Sequence, residues 1–385
     1  MTDVKKGGRR KKDPARKLIC VYLIPAVWIA FALINALLPA RAYSDRERRS
    51  LAQFPSAENG AVLDGRFEEG FEEYAKDQVV GRDALMSAYC AVKSATFNRE
   101  NGGVYRCADG YLMDMPKVPG EGLPSAYSAL LRACDIWQDI TLLAVPAAAD
   151  VCSDLLPGYA REGTRERLEA FSELTDKLPS SVNVCDVRDA LLKAYEGGTQ
   201  VYYRTDHHWT SAGAYEAYKE LMKLWGMEAK EYKLLPVCGG FGGTLAAKYG
   251  AALKTDTIDI PVPDRMPMIL VRISGQTGYT TTIYDMDAVD GPDPYTVFMG
   301  GNYGEVTIKT SHKGAGKLLV FKDSYFNALL PYLLDDFEEI TFIDPRFYDG
   351  DATLLASQYR DRKVLVCYSR NTFLEDNSFT LVIEQ

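Results

Sequence analysis

The hydrophobic pattern of the chain begins with one long apolar run. Leu18 to Leu38 (LICVYLIPAVWIAFALINALL) is 21 residues without a charge. As a helix rising roughly 1.5 Å per residue it would be about 30 Å long, the thickness of a bilayer core. Pro25 and Asn35 are tolerable in a membrane helix. Trp28 and Tyr22 are not at the ends, so no aromatic belt is evident. Residues 39–60 are polar and contain proline, and read as a stalk. Residues 64–98 carry helical spacing: Phe67, Phe71 and Tyr74, then Leu85, Tyr89 and Val92 after a break near Gly81. Residues 101–114 read as a β-hairpin turning at Asp109-Gly110.

From residue 125 helix and strand patterns alternate. Ser125–Trp137 is helical, and Ile140–Val145 is a continuous apolar strand ending at Pro146. Arg165–Leu178 is helical by its Leu168, Phe171, Leu174, Leu178 stripe, and Val182–Cys185 is a short strand. Thr210–Trp225 is a helix stopped by Gly226. Lys317–Phe321 is a strand, 325–334 a helix, and Ile340–Ile343 and Val364–Tyr368 are further strands. Short apolar strands separated by helices predict an α/β sandwich with a mainly parallel sheet. The stretch 232–312, rich in Gly, Thr, Tyr and Val, interrupts the rhythm and reads as a β-rich insertion in a body spanning 61–385.

Charge sharpens the picture of the amino end. The 385 residues carry a net charge of −9. Residues 1–17 hold eight Lys/Arg and two Asp, so +6, which leaves −15 for the rest. An acidic body excludes nucleic acid as a partner class, because phosphate contacts need a basic surface. The basic tip before an apolar run puts residues 1–17 in the cytoplasm and the body outside. A cleaved signal peptide competes, since Ala40-Arg41-Ala42 resembles a cleavage site. The run is longer than the usual 7–15 residues, however, which favours an uncleaved anchor over 18–38. A buried core helix fits poorly beside so basic a tail. The composition, 47% hydrophobic and 25% charged, excludes wholesale disorder and a multi-span membrane protein. Eight cysteines without a C-x-x-C read as ordinary buried residues rather than a zinc site or a disulfide framework.

Chemistry concentrates in one run, Tyr202-Tyr203-Arg204-Thr205-Asp206-His207-His208-Trp209-Thr210, which holds two of the three histidines. In an extended segment Asp206 and His208 share a side, so the carboxylate can bind an imidazole N–H. That fixes the tautomer a general base needs. A capped helix start with a structural histidine explains the same residues. A metal site at Asp206, His207 and His208 is disfavoured, because adjacent side chains in an extended run point apart. Lys317–Phe321 leads through Lys322-Asp323-Ser324 into a helix, so Ser324 would project from the carboxyl edge of the sheet. Backbone N–H groups there suit an oxyanion. Ser324 as a mere helix cap is the competing reading. The Gly300-Gly301-Asn302 turn could add a backbone N–H and an amide, or be an ordinary turn.

YYRTDHHWTSAGAYEAY, with KDSYFN downstream, resembles the DHHW family, which is similar to the SGNH hydrolase-like proteins of alginate and other polysaccharide O-acetylation (AlgX and AlgJ). Glu47-Arg48-Arg49-Ser50-Leu51-Ala52, Asp77-Gln78, Arg82, Gly103-Val104-Tyr105, Gly110-Tyr111-Leu112 and Asp344–Tyr348 fit as well. The resemblance implies a three-layer α/β/α fold with a circularly permuted order of motifs. It implies a triad of Asp206, His208 and Ser324, with oxyanion donors at Gly301-Asn302. Arg204, Trp209 and Tyr325 would shape the substrate site. Asp323-Ser324 resembles the Gly-Asp-Ser block, with Lys322 in place of Gly. No cofactor or metal is implied. The expected activity is acetyl transfer to cell-envelope polysaccharide, fed by a membrane-bound O-acyltransferase. A carbohydrate esterase with the same triad, and a non-catalytic polysaccharide-binding or assembly component, are the alternatives.

Overall fold

The computed structural model describes residues 14–44, 49–57, 62, 64–95, 99–120, 122–250 and 254–383. The basic tip up to residue 13, and Glu47-Arg48 of the Glu47–Ala52 segment, lie outside them. The chain divides into two compact units, Met1–Tyr89 and Cys90–Gln385.

In the first unit a helix covers Pro14–Leu37, with side chains described from Val21 onward. Among the described residues no helix is long and apolar enough to cross a membrane. Leu18–Cys20 of the expected anchor precede the described side chains. The residues after the helix are held by Asp77 and Gln78. Asp77 Oδ2 accepts from the Ala52 N–H at 2.8 Å. Gln78 Oε1 accepts from the Arg41 N–H, and its Nε2 donates to the Arg41 and Ala52 carbonyls. Both residues close the helix Arg66–Asp77, as the break near Gly81 predicts. Phe54 packs edge-on against Phe67, Phe71 and Tyr74, so the helical stripe seen in the sequence meets one phenylalanine of the segment 39–60.

The second unit is built on a seven-stranded sheet. Its strands in chain order are β1 (Ile140–Val145), β2 (Val182–Val184), β3 (Ile269–Ile273), β4 (Glu305–Thr310), β5 (Lys317–Lys322), β6 (Glu339–Ile343) and β7 (Lys363–Ser369). The spatial order is β3-β4-β6-β5-β7-β1-β2. From β6 to β2 every pairing is parallel, while β4 and β3 add an antiparallel edge. β5 and β7 are apolar on both sides because both sheet faces are covered. Leu318 and Val320 pack with the helices Ser211–Leu224 and Phe326–Leu333. Leu319 and Phe321 face Ser125–Ile136 and Phe373 on the other side. The result is helix, sheet, helix.

The segment 232–312 is only partly an insertion. Tyr232–Phe241 and Asp256–Pro263 form a separate antiparallel ribbon, but β3 and β4 extend the main sheet. Alternation in VRISGQTGYTTTIYD marks a strand without saying which sheet it joins, because pairing is decided by distant partners. The hairpin at 101–114 is present, with Asp109 and Gly110 both at positive φ, as a part of a three-stranded ribbon. Among the described residues seven cysteines are free thiols, six of them buried.

Candidate active site

The Asp206–Trp209 run is a tight loop rather than an extended segment. Tyr202 and Trp209 bridge antiparallel across it, and Thr210 N–H donates to the Val201 carbonyl at 2.9 Å. Thr210 then caps the helix Ser211–Leu224, its hydroxyl accepting from Gly213 N–H. Gly213 is required here, since a Cβ would lie 2.2 Å from the Val201 carbonyl oxygen. The loop is hung on a buried carboxylate that sequence reading missed. Asp256 accepts from the N–H groups of Arg204 and Thr205 and from the Thr205 hydroxyl.

Within the loop Asp206 is 1% exposed and fully hydrogen-bonded. Oδ1 accepts from the backbone N–H of His208 at 3.0 Å and from His208 Nδ1 at 2.6 Å. Oδ2 accepts from the Thr244 N–H at 2.7 Å and its hydroxyl at 2.9 Å. The Asp–His pair is therefore made by a turn in which the carboxylate bonds the backbone two residues on. Thr244 comes from the segment after the Tyr232–Phe241 strand. Gly243 lets it approach: a Cβ there would sit 2.2 Å from Asp206 Cβ. The local signal was Gly242-Gly243-Thr244 opening a short helix, but its partner is 38 residues away.

His208 Nε2 lies 2.8 Å from Ser324 Oγ. Because Nδ1–H donates to Asp206, Nε2 carries the lone pair and accepts from the serine hydroxyl. Burial, with the His207 ring beside it, pulls His208 down to about 4 against the opposing pull of Asp206. The imidazole is thus neutral at pH 7. Burial pushes the Asp206 carboxyl up. The neighbouring imidazoles and the hydrogen bonds overcome this and hold it far below the usual carboxylate range. The His208 ring is sandwiched. Tyr295 stacks on it with centroids 3.9 Å apart and planes within 9°, and the His207 ring lies at 3.9 Å, tilted 37°.

The adjacent histidines do not point apart, because the loop bends between them. Potential ligand atoms of Asp206, His207 and His208 lie within 4.8 Å of one another. Yet both His208 nitrogens and both Asp206 oxygens already have partners. His207 Nδ1–H donates to Thr244 Oγ1 at 2.8 Å, extending the network outward. The arrangement fits proton transfer better than a metal.

Ser324 follows β5 directly. Its hydroxyl bonds His208, and it does not cap the helix Phe326–Leu333, whose start has no side-chain cap. The turn is clamped by Asp323, which accepts from Tyr325 N–H at 3.0 Å, Ser369 N–H at 2.7 Å and the Thr372 hydroxyl at 2.8 Å. The Ser324 carbonyl accepts from the Tyr295 hydroxyl at 3.2 Å and Asn327 N–H at 3.2 Å. With the Tyr325 N–H taken, the Ser324 N–H is the neighbouring backbone donor that has no protein partner among the described residues. The half-buried serine opens into a cleft of about 210 Å³ lined by His207, Tyr325, Arg346, Asp114 and Thr372.

The other expected residues fall in three places. Trp209 is fully buried and donates its indole N–H to the Tyr325 carbonyl at 3.0 Å. It supports the site from behind and has no surface to offer a substrate. Tyr325 lines the cleft, with its hydroxyl bonded to the His207 carbonyl. Arg204 lies over the Tyr111 ring and beside Asp256, outside the cleft lining. Gly301 and Asn302 lie in the loop before β4, which runs antiparallel to β6. That loop reaches the carboxyl edge of the parallel strands, where Asp344 N–H donates to the Gly304 carbonyl. Asn302 Oδ1 accepts from Lys322 Nζ at 3.4 Å.

Comparisons with known proteins bear on the fold and on residues 138–236. Residues 138–236, which contain Asp206 and His208 but not Ser324, match the family described as SGNH hydrolase-like domain, acetyltransferase AlgX. No curated protein sequence matches the chain. A DHHW family protein from Eubacterium siraeum superposes with a TM-score of 0.58 at 24% identity, over 74% of this chain and 96% of that one. Bacillus cereus PatB1, solved with a sulfonyl adduct, gives 0.58 at 19% identity, over 71% and 97%. The O-acetyltransferase domain of Pseudomonas putida AlgJ gives 0.41 at 16%, over 73% and 99%. The chain is thus similar in sequence, over residues 138–236, to the SGNH hydrolase-like domain of AlgX, and it shares its fold with the DHHW family protein.

Proposed function

We propose that this chain is a membrane-anchored, extracytoplasmic O-acetyltransferase that acts on hydroxyl groups of a cell-envelope polysaccharide. The observation that carries the reading is the hydrogen-bonded series Asp206, His208, Ser324, with a neutral His208 whose Nε2 faces the serine hydroxyl. His208 takes the Ser324 proton as Oγ attacks the acetyl carbonyl. The oxyanion is met by the Ser324 N–H and the Asn302 amide. The leaving group departs with the proton from His208, and acetyl stays on Oγ. A sugar hydroxyl then attacks that ester. His208 takes its proton and returns it to Ser324, releasing the acetylated sugar. Asp206 steadies the transient imidazolium throughout.

The AlgX family description, an acetyltransferase, supports acetyl as the group moved. A membrane-bound O-acyltransferase is the inferred donor, since acetyl-CoA is a cytoplasmic compound. The exposed apolar side chains from Val21 to Ile29 and the basic tip support an anchor with its amino end in the cytoplasm. The test is incubation of the purified chain with an activated acetyl ester, with and without oligosaccharides. Acetylated sugar and Ser324-dependent turnover are expected. Free acetate at a rate indifferent to every sugar would favour an esterase. A Ser324→Ala variant equal to wild type would remove the enzymatic reading.

A further inference from the structure

Lys322 stands where the Gly-Asp-Ser pattern has glycine, and it is 1% exposed. A lysine so deep is rare unless paired, because an ammonium loses its hydration there. Its Nζ has three acceptors: Asn302 Oδ1 at 3.4 Å, Asn327 Oδ1 at 3.0 Å and Asp344 Oδ2 at 3.3 Å. Three acceptors match the three N–H donors of an ammonium. The Phe342 ring lies 5.4 Å beneath. Asp344, itself unexposed, also takes both arms of Arg346, so two cations share this one carboxylate.

These partners come from three separate segments. Asn302 is in the loop before β4, Asn327 is in the helix after Ser324, and Asp344 follows β6. Asn327 is buried and held by its backbone to the Ser324 carbonyl. Asn302 differs. It is exposed, and its loop is made of Met299, Gly300 and Gly301 at φ 75°, 74° and 144°. An exposed amide on such a loop rotates freely unless something fixes it. Lysine only donates, so the Asn302 oxygen must face Nζ, and the amide nitrogen must face away. The orientation of the amide is thereby set without ambiguity between oxygen and nitrogen.

We infer that Lys322 is a positioning residue for the oxyanion donor: its ammonium holds the oxygen of the Asn302 amide and so leaves Nδ2 turned outward as the donor for an oxyanion formed at Ser324. This rests on the acyl-transfer reading above. It gives the glycine-to-lysine change a role, because one buried ammonium ties the nucleophile strand to the donor loop. Burial pushes the lysine pKa down, and the Asp344 carboxylate opposes this in part.

The experiment is steady-state hydrolysis of 4-nitrophenyl acetate by the full chain in detergent, for wild type, Ser324→Ala, Asn302→Ala, Lys322→Met and the Asn302/Lys322 double variant. Asn302→Ala is expected to lower kcat by about 10²-fold with KM little changed, the usual effect of losing one oxyanion donor. Lys322→Met is expected to lower kcat by about 10-fold or more, again with KM held, since the amide is then free to turn. The double variant is expected to match Asn302→Ala alone, because Lys322 acts only through that amide. Multiplicative losses overturn the assignment. So does a Lys322→Met variant of lowered melting temperature and unchanged kcat. Asn302 is exposed, so its variant folds whatever Lys322→Met does, and an unchanged kcat for Asn302→Ala overturns the assignment alone. A Ser324→Ala variant as active as wild type overturns the acyl-transfer reading and this inference with it.

Discussion

Replacing Asp206 by Asn tests the proton-transfer geometry most directly. Four donors converge on the carboxylate: the His208 N–H and Nδ1, and the Thr244 N–H and hydroxyl. Asparagine offers one oxygen and one NH₂ in the same space. If the amide oxygen faces His208, the NH₂ meets the Thr244 N–H, a buried clash of two donors. If it faces Thr244, the NH₂ meets His208, whose ring must then accept at Nδ1 and carry its proton on Nε2. Nε2–H no longer takes a proton from Ser324. The first arrangement leaves a buried donor unmet, costing about 1–3 kcal/mol of stability. The second sets the NH₂ against the His208 backbone N–H at a similar cost and also surrenders the base, so in that arrangement turnover falls by about 10⁴-fold, roughly 5.5 kcal/mol of barrier. The loss is one of tautomer and of support for the transient imidazolium, not of the resting charge on His208. His208 already sits at about 4, and Asp206 is the group raising it, so the substitution moves it further down. At pH 7 the imidazole is neutral in both proteins. The assay is hydrolysis of an activated acetyl ester, with circular dichroism melting as the control for folding. A folded Asp206→Asn protein within tenfold of wild type at pH 7 would falsify the assigned roles.

Four shorter predictions accompany it. The pH profile of kcat/KM should show an acid limb near 4, activity rising as His208 loses its proton, with no limb near 6.5; a limb near 6.5 would mean the resting histidine is solvated. Gly243→Ala should abolish most activity and lower the melting temperature, since the new Cβ must move either Asp206 or the Thr244 segment; retained activity would show that the segment yields. Tyr295→Phe keeps the ring on His208 and loses one bond to the Ser324 carbonyl, so stability should fall by about 0.5–1.5 kcal/mol with modest loss of rate. Tyr295→Ala should cost about 3–5 kcal/mol in chemical denaturation, because that buried ring leaves a cavity against His208.

Local pattern carried much of this structure. Ile140–Val145 was a strand by its unbroken apolar run, and it is paired on both sides and buried throughout. A helix cap at Thr210 or Ser211, of which the structure uses Thr210, and Asp109-Gly110 as a turn follow from side-chain size and backbone freedom within a few residues. That Asp206, His208 and Ser324 could join in one hydrogen-bonded series was visible in residue type and position. The errors came where partners are remote. The reason given for the Asp–His pair, an extended segment, was wrong, since a turn makes it. Thr210 was the helix cap, but Asp256, which holds the loop 51 residues away, carried no local signal. Trp209 was read as a site residue through the family resemblance, yet its indole faces inward.

What the sequence determined by itself is therefore the inventory: which segments are strands and helices, which residues can hold or move a proton, and the resemblance carried by residues 202–218 with KDSYFN downstream. Those depend on periods of 2 and 3.6 residues and on chemistry intrinsic to each side chain. What only the tertiary structure decided is convergence. His208 meets Ser324 across 116 residues, Thr244 meets Asp206 across 38, and Lys322 meets Asn302 across 20. These contacts exist because β5 ends at the carboxyl edge of a parallel sheet whose neighbours end there too. Strand order sets which loops share that edge, and strand order is fixed by burial of both sheet faces together, a property no local window of sequence contains.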